Sequence, residues 1–307
     1  MNEQAPLPTG GHVPVMLEET LRLLELKPGE TVVDGTLGLG GHAVALRRAL
    51  QGQGLLVGVD RDPAMAERAR ARLESDPGAL IRIVQSNFSE LDVVLAEVPG
   101  GKADAILLDL GVSSPQIDEG GRGFSYREDG PLDMRMGPEG PTAAEWIAHA
   151  GDEEIADVLY HFGEERLSRR IARAIVAARQ RTPIRTTGQL AEIILRAYPG
   201  GSRRLHPARR SFQAIRIFLN DELAHLERFL KILPRLLNDG GRCVVISYHS
   251  LEDRRVKNSF RDGVREGTYR ALTRKALRPT SMEVASNPRS RSAKLRGVMR
   301  AEQEELA

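Results

Sequence analysis

One turn constrains this chain more than any other segment: Asp34-Gly-Thr-Leu-Gly-Leu-Gly-Gly-His42, which carries four glycines. It follows the apolar run Thr31-Val32-Val33 and leads into Ala43-Val44-Ala45-Leu46, the start of a helix. Glycine at a strand-to-helix turn permits positive φ and lets a ligand lie against the backbone. A second apolar run, Leu55-Leu56-Val57-Gly58-Val59, closes on Asp60. In open parallel sheets a carboxylate at that place grips the hydroxyls of a ribose. The two features together predict a nucleoside cofactor. They leave its identity open, because Gly38-x-Gly40-x-x-Ala43 with Asp60 further on also fits a dinucleotide fingerprint.

Strand signals at residues 31–34, 55–60, 81–85 and 103–109 alternate with helical stretches, as a parallel sheet requires. One of those stretches, 63–73, has Pro63 in its first turn. The next strand signal, 241–247, comes only after a long gap. The gap opens with residues 111–141, rich in Gly, Pro and Asp, which read as an ordered loop. Helical patterns follow at 143–149, 152–160, 164–181 and 187–197, and a last helix begins near Pro207. Its positions Phe212, Ile215, Leu219, Leu223, Leu226 and Leu230 step by three and four as one buried stripe. Arg209, Gln213, Arg216 and Asn220 step along a neighbouring polar face. A helix at 223–237 returns the chain to the sheet, and 270–277 and 294–300 supply two final strands. The expectation is an α/β core with an inserted all-helical domain: residues 1–137 and 216–307 form the core, and 138–215 the insertion.

Composition narrows the function classes. A chain of 307 residues with 41% hydrophobic content can bury a core, and no apolar run is long enough to span a membrane. The polar start, residues 1–11, lacks a basic-then-apolar signal pattern and reads as the flexible beginning of a cytoplasmic protein. A single cysteine, Cys243, excludes a disulfide framework and a cysteine-based zinc site. The seven histidines show no metal-ligand spacing, so no metal is expected. Net charge is only +2, but residues 254–300 hold fourteen Lys/Arg against three acids, and 201–217 hold five arginines and no acid. Such clusters suit a polyanionic partner, or a solvated basic surface.

The chemistry-bearing residues fall at strand ends. Asp109-Leu-Gly-Val-Ser-Ser-Pro-Gln116 closes the fourth strand, where ligands sit in doubly wound sheets. Its carboxylate suits a hydrogen-bond donor such as an exocyclic amine, and the small residues after it let a planar group approach. This speaks against a dehydrogenase. Phe88 follows the third strand, where it either stacks on an adenine or belongs to the core. Ser247-Tyr-His-Ser-Leu-Glu-Asp253 follows the fifth, and His249 there is either a general base or an orienting hydrogen-bond partner. No Gly-x-Ser-x-Gly elbow supports a hydrolase.

These motifs, with others in order along nearly the whole chain, resemble the bacterial ribosomal small-subunit RNA methyltransferase H family, the cytosine-N4 methyltransferases also called MraW. The others are His12-Val-Pro-Val-Met16, Arg122-Gly-Phe-Ser-Tyr126, Gly130-Pro-Leu-Asp-Met-Arg-Met136 and Phe162-Gly-Glu-Glu-Arg166. His206-Pro-Ala-Arg-Arg-Ser-Phe-Gln213, Asn220-Asp-Glu-Leu223 and Asn287-Pro-Arg-Ser-Arg-Ser-Ala-Lys294 complete the set. Tyr248 stands where many members have Phe.

The resemblance implies a Rossmann-like class I methyltransferase fold, with a seven-stranded and mostly parallel sheet. It implies S-adenosylmethionine as cofactor: Gly40, Gly41 and His42 on the methionine side, Asp60 on the ribose, Phe88 by the adenine, and Asp109 and Gln116 completing the pocket. The reaction it implies is N4-methylation of a cytidine in 16S ribosomal RNA, by in-line transfer to the amine of a flipped base. Asp109 is then the residue that holds the amine, with His249 a lesser catalytic candidate. Arg203, Arg209, Arg210, Arg289 and Arg291 are the candidates for holding RNA phosphates. The small ribosomal subunit is the implied partner, and the helical insertion is open to RNA, to a homodimer or to both. Two alternatives remain at this level: an NAD-dependent oxidoreductase, and an RNA-binding assembly factor on the same fold without activity.

Overall fold

The computed structural model describes residues 13–113, 116, 120–199 and 206–302. The readings of residues 1–12, Ser114, Pro115 and Arg203 lie outside the described residues. Two compact units are present: Met1–Gly111 with Phe229–Ala307, and Val112–Arg228. The insertion thus begins earlier and ends later than the expected 138–215. Leu132 and Met134 explain the first shift, because they pack into the same apolar cluster as Trp146, Ile147, Leu159 and Ile171. The Leu132 N–H also donates to the Arg185 carbonyl at 2.9 Å.

The first unit is built on one seven-stranded sheet. Its strands are β1 (Thr31–Asp34), β2 (Leu55–Asp60), β3 (Leu80–Gln85), β4 (Ala103–Asp109), β5 (Leu237–Ser247), β6 (Tyr269–Ala271) and β7 (Lys294–Arg300). They lie in the order β3-β2-β1-β4-β5-β7-β6. Strands β1 to β5 pair in parallel, whereas β7 runs antiparallel to both β5 and β6. The chain moves outward from β1 to β3 and then crosses to the other side of β1 for β4. That reversal opens a crevice at the carboxyl ends of β1 and β4, the place where doubly wound sheets bind ligands. Val32, Val33, Leu56, Val57, Ile106, Leu107, Val244 and Ile246 are buried. Such near-continuous apolar strands are the mark of a sheet covered on both faces.

The expected strand at 270–277 is confined to Tyr269–Ala271, with an isolated bridge from Leu277 to Leu295. The N–H groups of Leu272 and Thr273 both converge on the Gly297 carbonyl, which breaks the ladder between these points. Strand β5 begins earlier than expected, at Leu237, and its pairing with β4 shifts register between Ala103 and Ala105.

The second unit is helical. Its helices include Ala143–His149, Asp152–Gly163, Ser168–Arg179, Thr187–Ala197 and Ala208–Leu219. Capping boxes start two of them, Thr142 with Glu145 and Thr186 with Gln189. The helix expected from Glu164 starts at Ser168, because Glu164 takes a left-handed conformation (φ 49°) that closes the preceding helix. The apolar stripe read as one helix from Pro207 to Leu230 is divided between two, Ala208–Leu219 and Glu222–Leu236. Asp221 at φ 48° makes the break. Asn220 fixes it: its amide donates to the Met134 and Arg216 carbonyls, each at 2.8 Å, and its Oδ1 accepts from the Met136 N–H at 2.7 Å. Arg216 forms a two-pronged ion pair with Glu222 at 2.7 and 2.8 Å. Two residues of the expected polar face are therefore structural. Among the described residues, no helix is long and apolar enough to cross a membrane.

Candidate active site

Three carboxylates close three neighbouring strands: Asp34 ends β1, Asp60 ends β2 and Asp109 ends β4. Parallel pairing in register carries all three to the same edge of the sheet. The glycine turn threads between them and is fastened to each strand. The Gly35 N–H donates to the Leu107 carbonyl and the Leu37 N–H to Val59, both at 2.9 Å. The Gly38 N–H donates to Asp60 Oδ2 at 2.8 Å, and the Asp109 N–H to Thr36 Oγ1 at 2.6 Å. At Gly35 a Cβ would stand 2.5 Å from Leu108 Cδ2, so that side-chain end would have to shift to admit one. At Gly40 it is the backbone that requires glycine. Its φ of 73° turns the chain into the helix Gly41–Ala49, which starts without any side-chain cap. The first N–H groups of that helix are thereby left for an anionic group.

Burial shapes the electrostatics. Asp34 is 1% exposed; its Oδ1 accepts from the Thr36 N–H at 3.2 Å, and its Oδ2 is buried without a hydrogen-bond partner. Desolvation pushes the Asp34 carboxyl up to about 6, against the pull of His42. Asp60 also rises to about 6 through burial, although the N–H groups of Asp62 and Gly38 favour its charged form. Asp109 rises further, to about 7; burial is the main cause, the Tyr248 hydroxyl opposes it, and nearby Glu252 adds to it. Its side chain keeps 24% of its surface.

Two side chains flank Asp109. The Tyr248 hydroxyl donates to Asp109 Oδ1 at 2.7 Å, and burial drives the phenol's own proton affinity well up. His42 lies 3.7 Å from Asp109 Oδ2 through its Nδ1, while its Nε2 meets the Val15 carbonyl at 3.0 Å. Burial lowers the His42 pKa and keeps the ring neutral. The part played by Tyr248 was missed from the sequence, which marks it only as a Tyr where many members of the resembled family have Phe. The visible signal was that the extra hydroxyl falls directly after β5, the strand paired with β4.

The remaining candidates are placed as follows. Phe88 follows β3 and meets Phe229 edge-on at 6.0 Å between ring centres. Gln116 is buried in the second unit, where its Oε1 accepts from the Ser113 N–H at 2.9 Å. His249 stands with Nε2 3.0 Å from Glu252 Oε1 and precedes the helix Ser250–Arg265. Arg209 and Arg210 are exposed in the first turn of Ala208–Leu219. Arg289 and Arg291 are exposed in the turn Pro288–Ser292. The basic excess after residue 254 is smaller than the count suggests. Asp253, one position outside it, binds Lys294 Nζ and Arg296 Nε, both at 2.8 Å.

Among doubly wound sheets, an antiparallel strand slotted in beside the fifth strand marks the class I methyltransferases, and this protein is one of them. It belongs to the MraW methylase family, whose pattern matches residues 9–301, and S-adenosylmethionine is its cofactor. Ribosomal RNA small subunit methyltransferase H of Acidobacterium capsulatum is 49% identical over 295 residues, covering 94% of this chain and 97% of the relative. The protein of that name in Deinococcus radiodurans is 47% identical over 299 residues, covering 97% of this chain and 92% of the relative. Among solved structures, an rRNA methylase from Streptococcus thermophilus is 11% identical with a TM-score of 0.44, covering 93% of this chain and 95% of that one. The glycine spacing that also fitted a dinucleotide is thus that of a methylase.

The residues present fit this cofactor. A zwitterionic amino-acid end needs an anion site beside a cation site. The uncapped helix start at Gly41 and the unpartnered buried oxygen of Asp34 are of matching kind.

Proposed function

We propose that this enzyme methylates the N4 amine of a specific cytidine in 16S ribosomal RNA of the small subunit. The observation that carries the reading is Asp109, a partly exposed side chain at the end of β4, in a chain nearly half identical to small-subunit rRNA methyltransferases.

S-adenosylmethionine supplies an electrophilic methyl group on a sulfonium, with the C–S bond electrons passing to sulfur on transfer. The residues that would hold it are Gly40, Gly41 and His42 at the methionine end, Asp60 at the ribose and Phe88 by the adenine. What remains for the protein is to prepare the amine. A cytosine N4 lone pair is delocalised into the ring, so the nitrogen must pyramidalise before it can attack. A carboxylate accepting one of its hydrogens favours that change and stabilises the positive charge that develops. Holding amine and methyl group in line supplies several kcal/mol more. Asp109 has the charge, the reach and the raised proton affinity both to hold the amine and to take its surplus proton afterwards.

The base reaches such a crevice by leaving its stack. Arg209, Arg210, Arg289 and Arg291, with Arg203, would hold the surrounding phosphates. The test is transfer of labelled methyl from the cofactor to small ribosomal subunits, followed by nucleoside analysis. Label in N4-methylcytidine is expected. Label in another nucleoside, or none, refutes the reading.

A further inference from the structure

Around Asp109 two hydrogen-bond acceptors face one another with no donor between them. The Val15 carbonyl can only accept, so the His42 Nε2 beside it at 3.0 Å carries the ring hydrogen. In a neutral ring that leaves Nδ1 as a bare acceptor. Among the described residues no hydrogen bond reaches Nδ1, and Asp109 Oδ2 stands 3.7 Å from it. The other Asp109 oxygen is already engaged by the Tyr248 hydroxyl at 2.7 Å. Two facing acceptors without a proton between them repel, and the arrangement is satisfied by a group that offers two hydrogens at once.

From this geometry we infer that His42 Nδ1 and Asp109 Oδ2 together grip the two hydrogens of the target amine, which makes His42 a second catalytic residue and selects primary amines over hydroxyls and ring carbons. The inference rests on the reading of the protein as an amine methyltransferase and adds to it a residue assigned above only to the cofactor's methionine end. A nitrogen placed about 2.9 Å from both acceptors sees them about 80° apart. That angle is nearer the H–N–H angle of a pyramidal nitrogen than that of a planar one. Both bonds therefore improve as the amine pyramidalises, and only such differential contacts accelerate a reaction. When the nitrogen lone pair forms the C–N bond and the C–S bond breaks, the product nitrogen carries one proton too many. That proton passes to Asp109 Oδ2, leaving a neutral N-methyl amine and the thioether. With no amine in place, a proton on Asp109 fills the same gap, in keeping with the raised proton affinity of that carboxyl.

Two substitutions separate this role from a structural one. His42→Gln can keep the link to Val15 through its side-chain amide, but it has no acceptor at the Nδ1 position. His42→Asn presents an amide oxygen at that position and gives up Val15. With labelled cofactor and small ribosomal subunits as substrate, His42→Gln should lower kcat about 100-fold, a larger factor than any loss of cofactor affinity. His42→Asn should recover most of kcat. If His42→Gln retains kcat, or loses cofactor affinity by the same factor, or if both variants fall alike, the inference is overturned. A wild-type measurement guards against variants that fail to fold. An amine gripped by two hydrogens can be methylated once, so the product should be solely monomethylated; a dimethylated base overturns the inference. Wild-type enzyme that labels no amine in small-subunit RNA would instead sink the functional reading beneath it.

Discussion

Tyr248→Phe removes a single hydroxyl from the crevice and asks whether ionised Asp109 is the working form of the enzyme. In the wild type that hydroxyl donates to Asp109 Oδ1 at 2.7 Å, and it is the main influence holding down a carboxyl that burial lifts to about 7. A hydrogen bond to a charged group contributes about 1.5–3 kcal/mol, equivalent to roughly 1–2 pKa units. Because Asp109 keeps 24% of its surface, water moderates the effect and the lower end applies. The sign is fixed: the bond favours the carboxylate, so its loss raises the pKa. At pH 7 the ionised fraction then falls from about half to about a tenth or less. Turnover at pH 7 should drop roughly fivefold or more, and most of the loss should be regained by about pH 9. Single-turnover methyl transfer to small subunits across this pH range reads the acid limb directly, with cofactor affinity measured alongside. The reasoning is refuted if the acid limb of Tyr248→Phe stays where it is or moves to lower pH.

Three further outcomes are expected. Asp34 is raised to about 6 by burial, so the folded wild type loses stability as pH climbs from the unfolded value of about 3.9 through that range. Melting curves of Asp34→Asn should therefore gain on the wild type between pH 4 and 7 while cofactor affinity drops; a gap that does not change with pH contradicts this. Asp253 holds both Lys294 and Arg296, and although burial opposes it, those two cations keep its carboxyl below the usual range. Asp253→Ala should cost about 3 kcal/mol near neutrality, and in chemical denaturation the gap to wild type should close below the unfolded pKa of about 3.9. Replacing Arg289 and Arg291 by Ala should weaken RNA binding without altering cofactor affinity, and should shallow its salt dependence by up to about two phosphate contacts. An unchanged slope would remove these two side chains from the RNA interface.

The core of the fold could be read from the sequence because it rests on local patterns. The apolar runs ending at Asp34, Asp60 and Asp109 became β1, β2 and β4 with the bounds expected, since a strand buried on both faces leaves a continuous signature. The glycine turn was equally legible, as the left-handed φ of 73° at Gly40 suits a residue without a Cβ. Periodicity failed where a polar residue overrode it. The stripe from Phe212 to Leu230 looks continuous, yet Asn220 bonds across to Met134 and Met136 and divides the helix. Position 220 carries no local mark of partners more than eighty residues away. At the site, each carboxylate could be placed one strand at a time. The joining of Tyr248 and His42 to Asp109 could not, because it depends on β5 lying beside β4 and on Val15 meeting the far side of the imidazole ring.

The central claim is that Asp109 acts on the substrate amine and does not serve cofactor binding alone. Asp109→Asn keeps the size of the side chain and an acceptor for Tyr248 but removes the charge. Its single-turnover rate of methyl transfer to small ribosomal subunits, measured beside its equilibrium affinity for S-adenosylmethionine, separates the two roles. A rate lowered by about 100-fold or more is expected, with cofactor affinity within about threefold of wild type. Equal losses in rate and affinity would contradict it and move Asp109 to the cofactor.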